Sequence, residues 1–214
     1  MIRIVCYGDS ITKAGPVPDG MRWPVLLQNH LNEWNPGLYS VRSQGVGGNT
    51  STQGLDRMLT DLLPFLPAVV LLEFGFNDAS VPDHRRTNRV GIQEFRSNLK
   101  ELIRVVKAGG GYPLLIANHP VIGRKGSKQA NGKSYVQNYA PYQKMIYQVG
   151  KEAKTPVLDL PAGFKRAGLT AEDVCTEDGL HISTPGQAHY AKIVFEELTG
   201  YLKKQKKVKP EGVK

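Results

Sequence analysis

Short apolar runs alternate with longer amphipathic stretches along almost the whole chain. Residues 2–7 are rich in β-branched side chains and stop at Gly8, which predicts a buried strand. Trp23, Leu26, Leu27, His30 and Leu31 recur at helical spacing, with Pro24 tolerated in a first turn. A short second strand is predicted over 39–43, then a helix marked by Leu55, Met58, Leu59, Leu62 and Leu63 and stopped by Pro64. Residues 68–74 form the strongest strand signal, a continuous apolar run that suits a parallel strand covered on both faces. Phe95, Leu99, Leu102, Ile103 and Val106 define a long amphipathic helix ending at three glycines, 109–111. Strands over 114–117 and 157–160 flank a helix over 139–149, and a last helix runs from about Thr184 to Leu202.

Strand–helix alternation with single crossovers predicts an α/β fold around a parallel sheet. No internal repeat or linker interrupts the pattern, so the expectation is one domain over 1–202 and a basic tail, 203–214, without fixed structure. Two polar segments, 79–89 and 119–138, leave the carboxyl ends of strands, where open parallel sheets bind ligands. Loops of that length are usually functional or mobile.

Composition adds little to the fold and something to the partners. The 214 residues carry a net charge of +9, and 40% of them are hydrophobic, an ordinary globular balance. Six lysines against Glu211 put +5 of that charge in the last twelve residues. Such a block reads as a solvated terminus, or as a contact for nucleic acid or an anionic membrane, since lysines attract polyanions without selecting one. No specific nucleic-acid partner is expected. Cys6 and Cys175 form no disulfide framework and no zinc pattern. No run approaches the length of a membrane span, and no secretory leader is visible. The reading is cytoplasmic, although a mature form cut from a secreted precursor would look the same.

Three tempting motifs fail. The segment from Gly126 to Ser134 has five residues between its glycines where a phosphate loop has four. Gly45-Val46-Gly47-Gly48 has Thr50 where a dinucleotide fingerprint has its third glycine. No spaced metal-ligand set occurs, so neither metal nor cofactor is expected.

Four other segments converge on one sheet edge. Gly8-Asp9-Ser10-Ile11-Thr12 ends the first strand, Gly48 follows the second, Gly75-Phe76-Asn77-Asp78 ends the third, and Asp178-Gly179-Leu180-His181 precedes the last helix. Together they supply a hydroxyl, an imidazole, a carboxylate, an amide and a glycine N–H. That inventory suits acyl transfer. Ser10 needs an adjacent base, which His181 can provide, and Asp178 can fix the imidazole tautomer. The Ser10 N–H, the Gly48 N–H and the Asn77 amide can serve as oxyanion donors. Each residue alone has a structural alternative: Ser10 as a helix cap, Asn77-Asp78 as a plain turn, His181 as a loop residue.

These four blocks, in this order and spacing, resemble those of the SGNH, or GDSL-type, hydrolases. The resemblance spans about residues 2–198. It implies a flavodoxin-like three-layer α/β/α sandwich with a five-stranded parallel sheet, and metal-independent ester hydrolysis. By motif, Ser10 matches the nucleophile, His181 the base, Asp178 its partner, and Gly48 and Asn77 the oxyanion donors. The first block reads GDSI where the family name has leucine, and the second begins with Ser43 where the family often has Asn. The absence of a GxSxG elbow argues against the α/β-hydrolase superfold.

The expected activity is release of a short acyl group, acetyl, from a carbohydrate or other polar alcohol. It rests on the composition of the two rim loops, where Tyr135, Tyr139 and Tyr142 stand among Asn, Gln, Lys and Arg and few long aliphatics. His119 and Tyr139 are the candidate substrate contacts; His84, Arg85 and Arg86 read as a solvated loop. The alternatives are a lysophospholipase or thioesterase on longer chains, and a catalytically silent anion-binding module using the tail with Arg124, Lys125, Lys128 and Lys133.

Overall fold

In the computed structural model, which describes residues 1–123 and 126–204, β1 (Ile2–Gly8) leads through Asp9 into a one-turn helix, α1 (Ser10–Lys13). There follow α2 (Trp23–Trp34), β2 (Tyr39–Gly45), α3 (Ser51–Asp56), α4 (Met58–Asp61), β3 (Val69–Glu73) and α5 (Phe76–Ala79). The second half contains α6 (Ile92–Ala108), β4 (Tyr112–Ala117), α7 (Tyr135–Glu152), β5 (Val157–Asp159), α8 (Leu160–Arg166), α9 (Ala171–Val174) and α10 (Thr184–Lys204).

All five strands run parallel in the order β2-β1-β3-β4-β5. This is the expected flavodoxin-like sandwich, with helices on both faces. The central strands are apolar on both sides because both sides are covered: Ile4 to Tyr7, Val69 to Leu72 and Leu114 to Ala117 are all buried. On one face α2 packs against α10, and on the other α6 packs between α3 and α7. Each fully buried Leu or Phe of these helices, such as Leu27, Leu31 or Phe95, contributes about 1.5–3 kcal/mol of burial energy.

The register puts the site's roots side by side. Gly8 pairs with Gly45 on one side and Glu73 on the other, so three strands end level. Trp23 locks the first of these ends to the last helix. Its indole N–H donates to Ile11 C=O (2.8 Å), and its backbone N–H donates to Gln187 Oε1 (2.9 Å).

Some boundaries differ from the sequence pattern. The single helix expected around Leu55–Leu63 is two short helices, α3 and α4, followed by a 3-10 turn. The break is at Arg57, whose backbone leaves the helical region (φ −97°, ψ 3°). The predicted loop 119–138 ends early, because Ser134 and Gln137 form a capping box that starts α7 at Tyr135. The strand expected over 157–160 ends at Asp159, whose carboxylate caps α8 instead. Of the predicted tail, Lys203 and Lys204 complete α10. Residues 205–214, Arg124 and Lys125 lie outside the described residues. Among the described residues, no helix is long and apolar enough to cross a membrane.

Candidate active site

Ser10 is placed by a buried polar frame. The Asp9 carboxylate caps α1 by accepting from Ile11 N–H (2.8 Å). Behind the turn lies Glu73, the buried end of β3. One Glu73 oxygen accepts from Asp9 N–H (3.3 Å), Thr12 N–H (3.2 Å) and Thr12 O–H (2.9 Å). Its other oxygen accepts from the Asn118 amide, and Asn118 in turn accepts from the Tyr190 hydroxyl (2.9 Å). A buried carboxylate persists only with such partners. Burial, followed by the neighbouring Glu73 charge, pushes the Asp9 carboxyl well above the ordinary carboxylate range.

Asp178 and His181 share one tight turn. Asp178 Oδ1 accepts from Thr176 O–H (2.8 Å), Leu180 N–H (2.8 Å) and His181 N–H (2.9 Å). Its Oδ2 lies 2.6 Å from His181 Nδ1, and His181 Nε2 lies 3.0 Å from Ser10 Oγ. Burial alone would raise the Asp178 carboxyl, but the His181 bond and the backbone donors outweigh it and hold it at about 2. Ionised at neutral pH, the carboxylate only accepts, so Nδ1 carries the proton and Nε2 is left to accept from the serine hydroxyl. This ordered chain can take a proton from Ser10.

Gly48 and Asn77 flank the same strand ends. The segment from Val46 to Asn49 is a tight turn closed by Asn49 N–H to Val46 C=O (3.2 Å). Gly48 sits in the left-handed region (φ +77°), which the third position of a type II turn requires. In such a turn the N–H of that residue takes no part in the closing bond. Asn77 is in the first turn of α5. Its Nδ2 donates to Asp9 Oδ2 (3.0 Å), and its Oδ1 accepts from Arg89 (3.3 Å). An acceptor on one end and a guanidinium on the other fix which way the amide faces. One Nδ2 hydrogen remains after the bond to Asp9.

The two expected substrate contacts need correction. His119 is fully buried, and Tyr139 is 3% exposed. The His119 Nε2–H donates to Leu180 C=O (2.8 Å), bracing the Asp178–His181 turn from behind. Burial lowers its pKa to about 4, so the ring is neutral. Tyr139 packs on Phe76 (4.4 Å between centroids). The other rim tyrosines also turn inward: Tyr142 is buried, and the Tyr135 hydroxyl donates to Phe76 C=O (2.8 Å). Once α7 begins at Tyr135, its helical phase points these rings at the sheet. Sequence reasoning missed Glu73, Arg57 and Arg89. A lone glutamate closing an apolar run was the one available signal, and the two arginines gave none. Among the described residues, no three His, Cys, Asp or Glu side chains gather as a metal ion would need.

A doubly wound parallel sheet with a hydroxyl–imidazole–carboxylate chain at its carboxyl edge defines a hydrolase of acyl esters. More narrowly, the chain belongs to the GDSL-like Lipase/Acylhydrolase family, whose sequence profile matches residues 6–189. It is 29% identical to the uncharacterized lipoprotein YqeF of Bacillus subtilis, over 90% of this chain and 86% of the relative. It is likewise 29% identical to thioesterase 1/protease 1/lysophospholipase L1 of Escherichia coli, over 91% and 82%. Among solved structures, the lipase/acylhydrolase from Enterococcus faecalis superposes with a TM-score of 0.76 at 26% identity, covering 94% of this chain and 97% of that one.

Proposed function

We propose that the protein is a serine-dependent carboxylic ester hydrolase with Ser10 as nucleophile, His181 as general base and Asp178 as its partner. The Ser10 N–H, the Gly48 N–H and the Asn77 amide bind the oxyanion. The observation that carries this reading is the continuous hydrogen-bonded chain from Ser10 Oγ through His181 to Asp178, at 3.0 and 2.6 Å. His181 takes the serine proton as Oγ attacks the ester carbonyl. The imidazolium, stabilised by Asp178, then protonates the leaving alcohol. Water enters by the same base and releases the acid. Treatment with a fluorophosphonate, followed by peptide mapping, tests the assignment. An adduct on Ser10 and loss of activity in Ser10→Ala are expected; an active Ser10→Ala enzyme overturns it.

For the substrate we propose a short acyl group on a polar alcohol. The support is the polar wall around Asn77, built from Arg89 and Gln53. The tyrosines that suggested a carbohydrate lie inside the protein and no longer support it. A longer acyl chain is the second reading, favoured by Ile122 and Val46, which are apolar and exposed. Ile122 N–H bonds Gly179 C=O (3.1 Å) beside the Asp178 turn, and Val46 N–H bonds Gly8 C=O (3.1 Å) beside the Ser10 turn. The E. coli relative's name points the same way. Rates on nitrophenyl esters of two to twelve carbons decide: a preference for eight or more carbons defeats the short-chain reading. For location, the cytoplasm is the first reading and a lipid-anchored form, which the name of the B. subtilis relative favours, is the second; cell fractionation separates them.

A further inference from the structure

The oxyanion turn has a clamp at both ends, and both lead to one side chain. Arg57 joins α3 to α4, far from Ser10 in sequence, with its side chain only 14% exposed. Its Nη2 donates to Gly8 C=O (2.8 Å), the carbonyl that also accepts from Val46 N–H (3.1 Å). Its Nε donates to the Asn49 side-chain oxygen (2.8 Å). Nη1 pairs with Asp61 (3.1 Å), and the guanidinium carbon lies 4.2 Å from the centre of the Tyr7 ring. Val46 and Asn49 are the first and last residues of the turn that presents Gly48. Gly8 is two residues before Ser10.

We propose that Arg57 is a positioning residue for catalysis: it fixes the turn carrying the Gly48 N–H to the strand end carrying Ser10. This rests on the assignment of Gly48 as an oxyanion donor. Arg57 touches neither substrate nor reacting atoms. It acts by holding donor and nucleophile on one frame, so that the donor meets the charge where it develops. A misplacement of about 1 Å at such a donor costs about a hundredfold in rate. The planar fork matters, because two acceptors on different segments must be held at once by fixed N–H directions. A lysine ammonium is a point charge on a flexible stem and does not reproduce that. Packing on Tyr7 and pairing with Asp61 aim the fork and remove its freedom to swing.

The test compares kcat and KM of wild type, Arg57→Lys, Arg57→Ala, Asn49→Ala, Arg57→Ala/Asn49→Ala and Ser10→Ala on a nitrophenyl ester. Active sites are titrated with a phosphonate, and a melting curve accompanies each variant. Both Arg57 variants are expected to lose about tenfold or more in kcat per titrated site, with KM within about twofold. Asn49→Ala should lose less, and the double variant no more than Arg57→Ala alone, because both changes release the same turn. Should Arg57→Ala fail to fold, Arg57→Lys and Asn49→Ala carry the test. Normal kcat in those two, multiplying losses, or a loss confined to KM overturns the proposal. An active Ser10→Ala enzyme instead sinks the assignment of the nucleophile, whereas an inactive one beside a normal Arg57→Lys sinks the role of Arg57 alone.

Discussion

Replacing Asn77 by alanine separates an oxyanion donor from a structural anchor, because the structure predicts both effects and their sizes. The amide spends one Nδ2 hydrogen on Asp9 (3.0 Å) and is held at its oxygen by Arg89 (3.3 Å). Losing the remaining hydrogen as an oxyanion donor should lower kcat by about 10²–10³, or about 3–4 kcal/mol of transition-state stabilisation. KM should change little, since the bond tightens only as charge develops. The same substitution strips one donor from the buried Asp9 carboxyl, at about 1–3 kcal/mol of folding stability. For a chain of this size that lowers Tm by about 2–4 °C per kcal/mol. Activity must therefore be measured well below the new Tm and expressed per phosphonate-titrated site. Asn77→Asp should be at least as damaging. Its new carboxyl would face Asp9, which already binds its proton tightly beside Glu73. A normal kcat per titrated site with a lowered Tm would refute the catalytic role and leave Asn77 as an anchor.

Ser10→Ala and His181→Ala should each cost several orders of magnitude in kcat, and the double variant little more, since the pair works in one step; losses that multiply would show separate roles. His119 is neutral in the fold with its pKa held near 4, so the unfolded chain takes up a proton first as pH falls. Its contribution to stability is full above about pH 6.5 and is lost between there and about pH 4. Urea midpoints over that window should fall less steeply in His119→Gln, and parallel curves would contradict the burial argument. Gly179→Ala should lower both Tm and kcat, because Gly179 has φ +68° and a Cβ there would strike the Gly123 carbonyl and approach Ile122 at 2.7 Å. Unchanged melting and kinetics would mean that the Asp178–His181 turn does not lean on the loop after β4.

The central strands were legible because burial on both faces leaves a short unbroken apolar run, as in residues 68–72, rich in β-branched residues and bounded by Pro67. The segments at Ser10 and Asn77 were legible for a related reason, since each is a cluster of small and polar residues set against the end of such a run; Asp178 and His181 were legible from their spacing just before the last helix. What could not be read depended on partners distant in sequence. The helix around Leu55–Leu63 looked continuous, but Arg57 is turned toward Gly8, forty-nine residues away, and the helix breaks there. The tyrosines after residue 134 looked like a polar rim because the start of α7 was placed four residues late; the added turn carries Tyr135 onto the same helix face as Tyr139 and Tyr142, and that face packs inward. Asp9 could not be tied to Asn77 or Glu73 until the fold stood them side by side. His119 ended a strand like a ligand contact, yet its ring sits behind the active turn, among Phe76, Phe164 and Tyr190.

The proposed nucleophile and base are separated by 171 residues of chain. At about 5–20 residues per second, a ribosome needs roughly 10–35 s to travel from one to the other. During that interval the emerging polypeptide holds Ser10 and, soon after, Gly48 and Asn77, but not His181. A product truncated anywhere before His181 lacks the proposed general base, even if its first strands have paired. On the proposed assignment, hydrolytic competence arrives late, with the segment that also delivers the helix packed against α2.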